Sequence, residues 1–407
     1  HRGRGAEGGG RQTAVTAFRA TRKTLTVAAL GTTQTLAWAS SYYLPAILAE
    51  PIAAGLHVSK SLFFGLFSAS LLLQAALGPA IGRAIDRNGG RGVLVLSNLV
   101  LAAGLGWLGL AQGPIGLAGA WIVLGLGMAL GLYDPAFAAL TALYGREARS
   151  AITGITLIAG FASTVGWPLS AWLDGNFGWR GACFGWAALN LLVCLPINRF
   201  LIPKPSAPIA PEATQSAAPT PANGMVVLGF VFGAVGFVTG AMAAHLPHLL
   251  EMAGASTTAA IAAAALMGPA QVVARLFEFG VLKRLHPLVS TRIALILHPL
   301  GAALLATLGA PAAAAFAMLH GGGNGLLTIS RGTLPLALYG PAGYGRRTGI
   351  IVAPARVTTA AAPLLFGLLM THIGLGALWV SAGLSLAALA ALALLRVQPE
   401  AAPAPGN

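Results

Sequence analysis

The chain has 407 residues, 56% of them hydrophobic and 8% charged, with a mean hydropathy of +0.78. A soluble domain carries about 25% charged residues, so this composition excludes one and points to an integral membrane protein. The formal net charge of +14 does not signal nucleic acid, because the basic residues are scattered through short connections and form no basic face.

Residues 1–12 are rich in Gly and Arg and begin without methionine, so they read as a fragment end or a non-native remnant. Twelve apolar stretches then follow, each long enough to cross a bilayer as a helix. They lie near 25–49, 61–82, 92–111, 115–141, 151–173 and 179–201, then 225–250, 257–281, 290–309, 311–338, 347–371 and 373–396. The first is too long for a signal-peptide core and lacks a cleavage pattern, so it is expected to be a permanent span. Two bundles at 25–201 and 225–396 are thus expected, with tails at 1–24 and 397–407. Residues 202–224, rich in Pro, Ala, Ser and Thr and without apolar periodicity, read as a flexible linker. Basic residues gather in the N-terminal tail, after spans 2, 4, 6, 8 and 10, and at the C-terminal end, against Lys60 and Arg180 on the opposite side. The positive-inside rule then puts both termini in the cytoplasm.

Between spans 2 and 3 runs GPAIGRAIDRNGGR, residues 78–91. Its glycines permit a tight turn and close helix approach, and Asp86 can meet the first-turn amides of the next helix or a neighbouring arginine. Gly82-x-x-x-Asp86-Arg87-x-Gly89-x-Arg91 resembles the loop signature between helices 2 and 3 of the major facilitator superfamily, with Gly90 where a basic residue often stands. The resemblance covers essentially the whole chain. It implies an all-α membrane protein of twelve transmembrane helices in two pseudo-symmetric six-helix bundles, working as a secondary transporter. It also implies that spans 1, 4, 7 and 10 line a central cavity and that this loop locks the outward-open form on the cytoplasmic side.

The halves resemble each other as well. A shift of 195 residues superposes Tyr144-Gly145 on Tyr339-Gly340, Gly154 on Gly349 and Pro168 on Pro363. Nearby shifts place Tyr43-Leu44-Pro45 on His245-Leu246-Pro247, and Arg83-x-x-Asp86 on Arg275-x-x-Glu278. Two repeats related along the membrane normal carry their ligand site near the midplane between the halves.

Ionisable groups inside spans are expensive to bury and mark cavities or partners. In span 4, Asp134 lies ten residues before Tyr144, roughly 15 Å inside the helix end and too deep for an interfacial cap. It reads as a proton carrier or as one half of an ion pair, and Pro135 beside it frees a carbonyl. Arg331 of span 10, at nearly the mirrored depth, is the partner proposed for it in one state. In span 8, Gln271 and Arg275 share a helix face at i, i+4. They resemble the Asp-x-x-x-Arg pair in the eighth helix of the monocarboxylate and oxalate/formate branch. In that branch the arginine is associated with the substrate carboxylate and the aspartate with the proton. Here the arginine is kept and Gln271 replaces the acid, so the resemblance implies anion binding more than proton binding. The alternative is that Arg275 pairs with Glu278 as a second copy of the loop latch. Trp38 and the 144–166 segment echo the same branch, though the latter has longer glycine intervals.

Span 10 carries His320-Gly321-Gly322-Gly323-Asn324-Gly325, a helix break that exposes ligating backbone groups or, equally, a close-packing point. Span 7 offers His245, His248 and Met252. They are an alternative soft-metal set, as imidazole and thioether one turn apart suit Cu(I), but packing is the plainer reading. His245, matched to Tyr43 in the repeat, is a second candidate proton carrier. Gln34, Tyr42, Tyr43, Gln74 and Trp167 are candidate lining residues. Cys183 and Cys194, 11 residues apart on one span, lie about 16 Å apart along a helix and cannot bridge.

The expectation is a monomeric transporter that carries a small organic anion with protons. Arg275, Arg331, Asn324, Gln271, Tyr43, Trp38 and Gln34 would bind substrate, and Asp134 or His245 would carry the proton. Proton-driven efflux of a drug or toxic metalloid is the alternative, favoured faintly by Gly166-Trp167-Pro168, and copper uptake a further one. No nucleophile, metal triad or cofactor loop supports an enzyme or a resident cofactor. No large soluble extension supports a non-transporting sensor. The Ala/Gly/Arg-rich composition points to a bacterial inner membrane.

Overall fold

The computed structural model describes residues 6–204 and 223–395. Residues 205–222 of the expected linker at 202–224, the expected tail at 397–407 with Arg396 before it, and the side chain of Trp167 lie outside the described residues. Helix occupies all twelve expected spans, and no strand occurs among the described residues. Helix α1 (Ala6–Ser40) begins ahead of the apolar run at Leu25, since no proline intervenes. It is followed by α2 (Pro45–Gly55), α3 (Lys60–Asn88), α4 (Gly90–Leu110), α5 (Pro114–Gly131), α6 (Tyr133–Tyr144), α7 (Ala148–Ala159), α8 (Ala162–Leu189) and α9 (Leu195–Phe200). The second half comprises α10 (Gly224–Met252), α11 (Thr257–Ala265), α12 (Met267–Gly280), α13 (Pro287–Leu308), α14 (Ala313–Tyr339), α15 (Tyr344–Ile373) and α16 (Ala377–Ala393).

Several spans are interrupted, and the interruptions have chemical causes. Span 1 opens at residues 41–44, just before Pro45, which has no N–H for the carbonyl four residues back, that of Ser41. Span 4 breaks at Leu132, which is extended at φ −81 and ψ −162. Pro135 has no N–H for the carbonyl four residues back, that of Gly131. Gln34 Nε2 takes up that oxygen from α1 at 2.6 Å. Gly178, at φ 67, separates spans 5 and 6 within α8, and a π turn (Asn190–Cys194) leads into α9.

The described chain forms two compact units. The first is His1–Pro208 with Val272–Arg284 and Gly343–Gly349, and the second is Ile209–Gln271 with Leu285–Ala342 and Ile350–Asn407. Trp121, Trp186, Phe63 and Met128 belong to the apolar core of the first unit. Through that unit runs a buried amide ladder. Thr33 Oγ1 donates to Asn198 Oδ1 (3.1 Å), Asn198 Nδ2 to Asn98 Oδ1 (2.8 Å), Asn98 Nδ2 to Asn190 Oδ1 (3.4 Å) and Asn190 Nδ2 to Ser40 Oγ (3.1 Å). It ties spans 1, 3 and 6 together where apolar side chains have no preference between lipid and protein. Removing Asn98 strips an acceptor from Asn198 and a donor from Asn190. Asn98→Ala should therefore cost about 1–2 kcal/mol and lower the melting temperature of the purified protein. Ser97→Ala, whose hydroxyl bonds its own helix at Leu94 O (2.7 Å), should leave the melt nearly unchanged.

The two basic residues assigned to the outer side have structural partners in this unit. Arg180 Nη1 donates to Gly109 O (2.7 Å) and Ala111 O (2.8 Å) at the end of α4, with its guanidinium 4.1 Å from the Trp179 ring centroid. Lys60 pairs with Glu50. Both cysteines are buried and free.

In the second unit α10 packs on α15 backbone to backbone. Thr358 Oγ1 donates to Gly233 O (2.7 Å) and Thr359 Oγ1 to Gly236 O (2.9 Å). Helix α14 is unbroken through its glycine run, which settles the two readings of that run in favour of close packing. A Cβ at Gly321 would lie 2.5 Å from Met267 O, one at Gly323 2.8 Å from Ala294 O and one at Gly325 2.6 Å from Gln271 O. The absent side chains let α12 and α13 approach the α14 backbone.

Candidate functional site

The loop singled out by its glycines is a clasp within the first unit. Asp86 Oδ1 accepts from Gly345 N at 2.8 Å and Oδ2 from Arg346 N at 2.9 Å. Its target is therefore the first turn of α15, 259 residues away, and not the next helix as the sequence suggested. The carboxylate meets unpaired amides and the positive end of a helix dipole together. Close approach makes this possible. A Cβ on Gly82 would lie 2.0 Å from Gly345 O, and one on Gly349 would lie 2.7 Å from the Gly78 carbonyl carbon. Gly89, at φ 77, ends α3. Gly90, the departure from the signature, has a packing cause, since a Cβ there would lie 2.1 Å from Ala139 Cβ. Arg87 is exposed, and Arg91 Nη1 reaches Ile202 O at 3.5 Å.

A second clasp stands at the matching place in the repeat. Glu278, 2% exposed, pairs with Arg149 Nη2 at 3.3 Å, and the same nitrogen is 3.3 Å from Leu282 O. Arg149 is the second residue of α7, as Gly345 is the second of α15. Nearby, Lys23 Nζ donates to Glu147 O at 2.7 Å. Partial burial lowers the Lys23 pKa, and the Glu147 charge opposes that shift.

Arg275 is 6% exposed. Its Nη1 lies 3.5 Å from Thr156 O, near the C-terminal end of α7 where the helix dipole is negative. Gly160 makes the room, since a Cβ there would be 2.5 Å from that nitrogen. Tyr43 lies within electrostatic reach of the guanidinium. Gln271, one turn before Arg275 on α12, is grouped with the second unit.

Around the breaks in spans 1 and 4 is an aromatic cluster. Trp38 has ring centroids 5.1 Å from Tyr42, 6.1 Å from Tyr43 and 4.8 Å from Tyr133, and Tyr133 stacks on Phe137 at 5.3 Å. Gln34, 1% exposed, is engaged with Gly131 O. Asp134 falls in the first turn of α6. It is deep in its span and also at a helix N-terminus, a combination the uninterrupted span read from sequence did not allow.

In the second unit, Asn324 Oδ1 accepts from Thr239 Oγ1 at 3.0 Å. Arg331, half-buried, lies seven residues on and on nearly the same face of α14. His245 Nε2 donates to Pro363 O at 2.7 Å, whereas His248 Nδ1 is 3.5 Å from Glu251 Oε2. The two span 7 histidines thus have separate partners. Among the described residues, no three His, Cys, Asp or Glu side chains are placed to hold a metal. Sequence reasoning missed His298, which meets His320 inside this unit, and Ser381, which meets His298 on its other side. A hint lay in two histidines on consecutive antiparallel spans.

The profile of the Major Facilitator Superfamily matches residues 30–319. Among solved structures, the human organic anion transporter MFSD10 (TETRAN) is similar at 16% identity and a TM-score of 0.71, with 91% of this chain and 99% of that chain covered. FucP in its outward conformation is similar at 11% identity and a TM-score of 0.69, with 91% and 99% covered. A variant of the E. coli fucose:proton symporter FucP gives 12%, 0.70, 91% and 98%. At these identities the likeness is one of fold. Among curated proteins no match was found.

Proposed function

The chain belongs to the major facilitator superfamily, and from that premise we propose that it carries a small organic anion, a monocarboxylate in the simplest case, together with a proton. Secondary transport by a multi-pass membrane protein follows from the family. The anion is the finer step, and it rests on Arg275. A guanidinium 6% exposed is costly to hold inside a membrane protein unless it serves, and its planar fork suits two carboxylate oxygens. Arg331, Asn324, Gln271, Tyr43 and Trp38 assist it in this reading, and Asp134 or His245 takes the proton. The human neighbour transports organic anions and the E. coli neighbour is a symporter with protons, which is consistent with both halves of the reading at the level of fold. The Asp86 clasp holds the cytoplasmic side shut. In this reading both termini face the cytoplasm, as the distribution of basic residues favours, and the membrane is a bacterial inner one, as the Ala/Gly/Arg-rich composition favours.

Thermal stabilisation of the purified protein tests the substrate class, with panels of small carboxylates, cationic drugs and metal ions. A carboxylate at a hundred times its dissociation constant should add about 2.7 kcal/mol of stability, and that gain should vanish in Arg275→Ala. Stabilisation by cations or metals alone would overturn the anion reading.

A further inference from the structure

The second unit buries two histidines that the transport reading leaves unused. His298 of α13 and His320 of α14 are each 4% exposed, and their Nδ1 atoms lie 3.0 Å apart. On its other side, His298 Nε2 is 3.0 Å from Ser381 Oγ of α16. That hydroxyl donates to Leu378 O at 2.9 Å. The requirement that all three of these hydrogen bonds be kept at once assigns each tautomer. Ser381 has one proton and gives it to Leu378 O, so it accepts from His298 Nε2–H. A neutral imidazole protonated at Nε2 has a bare Nδ1, so His298 accepts there from His320 Nδ1–H. The bare lone pair of the relay is left at His320 Nε2. The opposite polarity would forfeit the bond to Leu378 O.

We propose that His320 Nε2 is a proton-binding site of the second unit, with His298 and Ser381 as positioning residues that hold its tautomer. The step forms one N–H bond from the Nε2 lone pair as one O–H bond of a hydronium ion breaks and leaves neutral water, so the positive charge passes to the ring. All three hydrogen bonds keep their direction, and the one from His320 to His298 becomes charge-assisted and shorter. His298 has no equivalent position, because a proton on its Nδ1 would set two N–H groups against each other.

The groups facing the pair are few. Helices α11 and α16 carry no ionisable side chain. Helix α12 meets the adjacent Gly321 through the Met267 backbone, and the Phe316 ring centroid is 6.3 Å from that of His320. On α10, His245 is engaged with Pro363 O, and His248 with Glu251. Arg292 of α13 is exposed, six residues before His298. His320, Asn324 and Arg331 fall within about 40° of one another around α14. A charge on His320 therefore heads the stripe that carries two of the proposed anion-binding residues. In purpose the site rests on the proton-coupled reading, to which it adds a carrier besides Asp134 and His245.

The test is a nitrogen NMR titration of histidine-labelled full-length protein in nanodiscs, from about pH 8 to about pH 4, with no carboxylate present. One nitrogen of the pair should pass from bare to protonated, assigned to His320 by its loss in H320Q, while His298 keeps Nε2–H throughout. In S381A, a small change at the end of the relay, the midpoint should fall by about half to one pH unit, roughly threefold to tenfold in proton affinity. If H320Q does not fold, the shift of the His298 Nε2 signal in S381A makes the assignment. Protonation of His298 first, no protonation before the sample melts, or an unmoved midpoint in S381A would each overturn the site. Failure of the carboxylate screen would overturn the anion reading and leave this titration standing.

Discussion

Gly82→Val should stop transport and open the clasp between α3 and α15 in the first unit. The added Cβ would stand 2.0 Å from Gly345 O, a backbone atom that no side-chain rotation can move aside. Either α15 withdraws its first turn from α3 or both helices bend. Withdrawal breaks the two bonds from Gly345 N and Arg346 N to Asp86. Hydrogen bonds to a charged group contribute about 1.5–3 kcal/mol in favourable settings. Asp86 is partly exposed, so we expect the pair together to contribute about that much, shifting the closed fraction by roughly tenfold to a hundredfold. A cysteine at Thr348, which is 1% exposed, reports the change, since native Cys183 and Cys194 are buried. In the Gly82→Val background its labelling by a water-soluble thiol reagent should rise at least about tenfold. Unchanged labelling with full transport would show that the clasp is not a gate.

Arg149→Ala should be among the most destabilising single changes in the chain. It leaves Glu278, 2% exposed, without the guanidinium 3.3 Å away. Removing one partner of a buried pair costs about 3–5 kcal/mol, and we expect the lower end because Arg149 itself is 22% exposed. The cost arises from the abandoned carboxylate more than from the lost attraction. Arg149→Ala with Glu278→Gln should therefore melt closer to the parent than Arg149→Ala alone. A double variant no more stable than the single one would place the loss in the Leu282 contact or in packing.

The twelve spans were legible because apolar runs and basic connections are local signals that a bilayer enforces. Partnerships were not. Asp86 announced a helix terminus, but the terminus it found lies 259 residues on, and nothing in its neighbourhood encodes that distance. Pro135 announced a freed carbonyl. That Gln34 would take it depends on how α1 packs against α5. Asn98, Asn190 and Asn198 look like isolated polar residues in apolar runs until three spans bring them into one ladder. The glycine run of α14 had two equal readings, and the backbone of α12 and α13 against it decided between them.

The manner in which Asp86 grips its target also governs how sequence can drift on the receiving side. Both bonds go to main-chain N–H groups, which every amino acid except proline supplies. At position 346, exposed at the surface, almost any substitution keeps the donor. At 345 and 349 the requirement is small size alone, imposed by Gly82 and Gly78. The start of α15 is therefore restricted only in size, at two positions, whereas the accepting side on α3 needs both its acid and its glycines. The clasp is thus conspicuous in one strand of the text and nearly silent in the other.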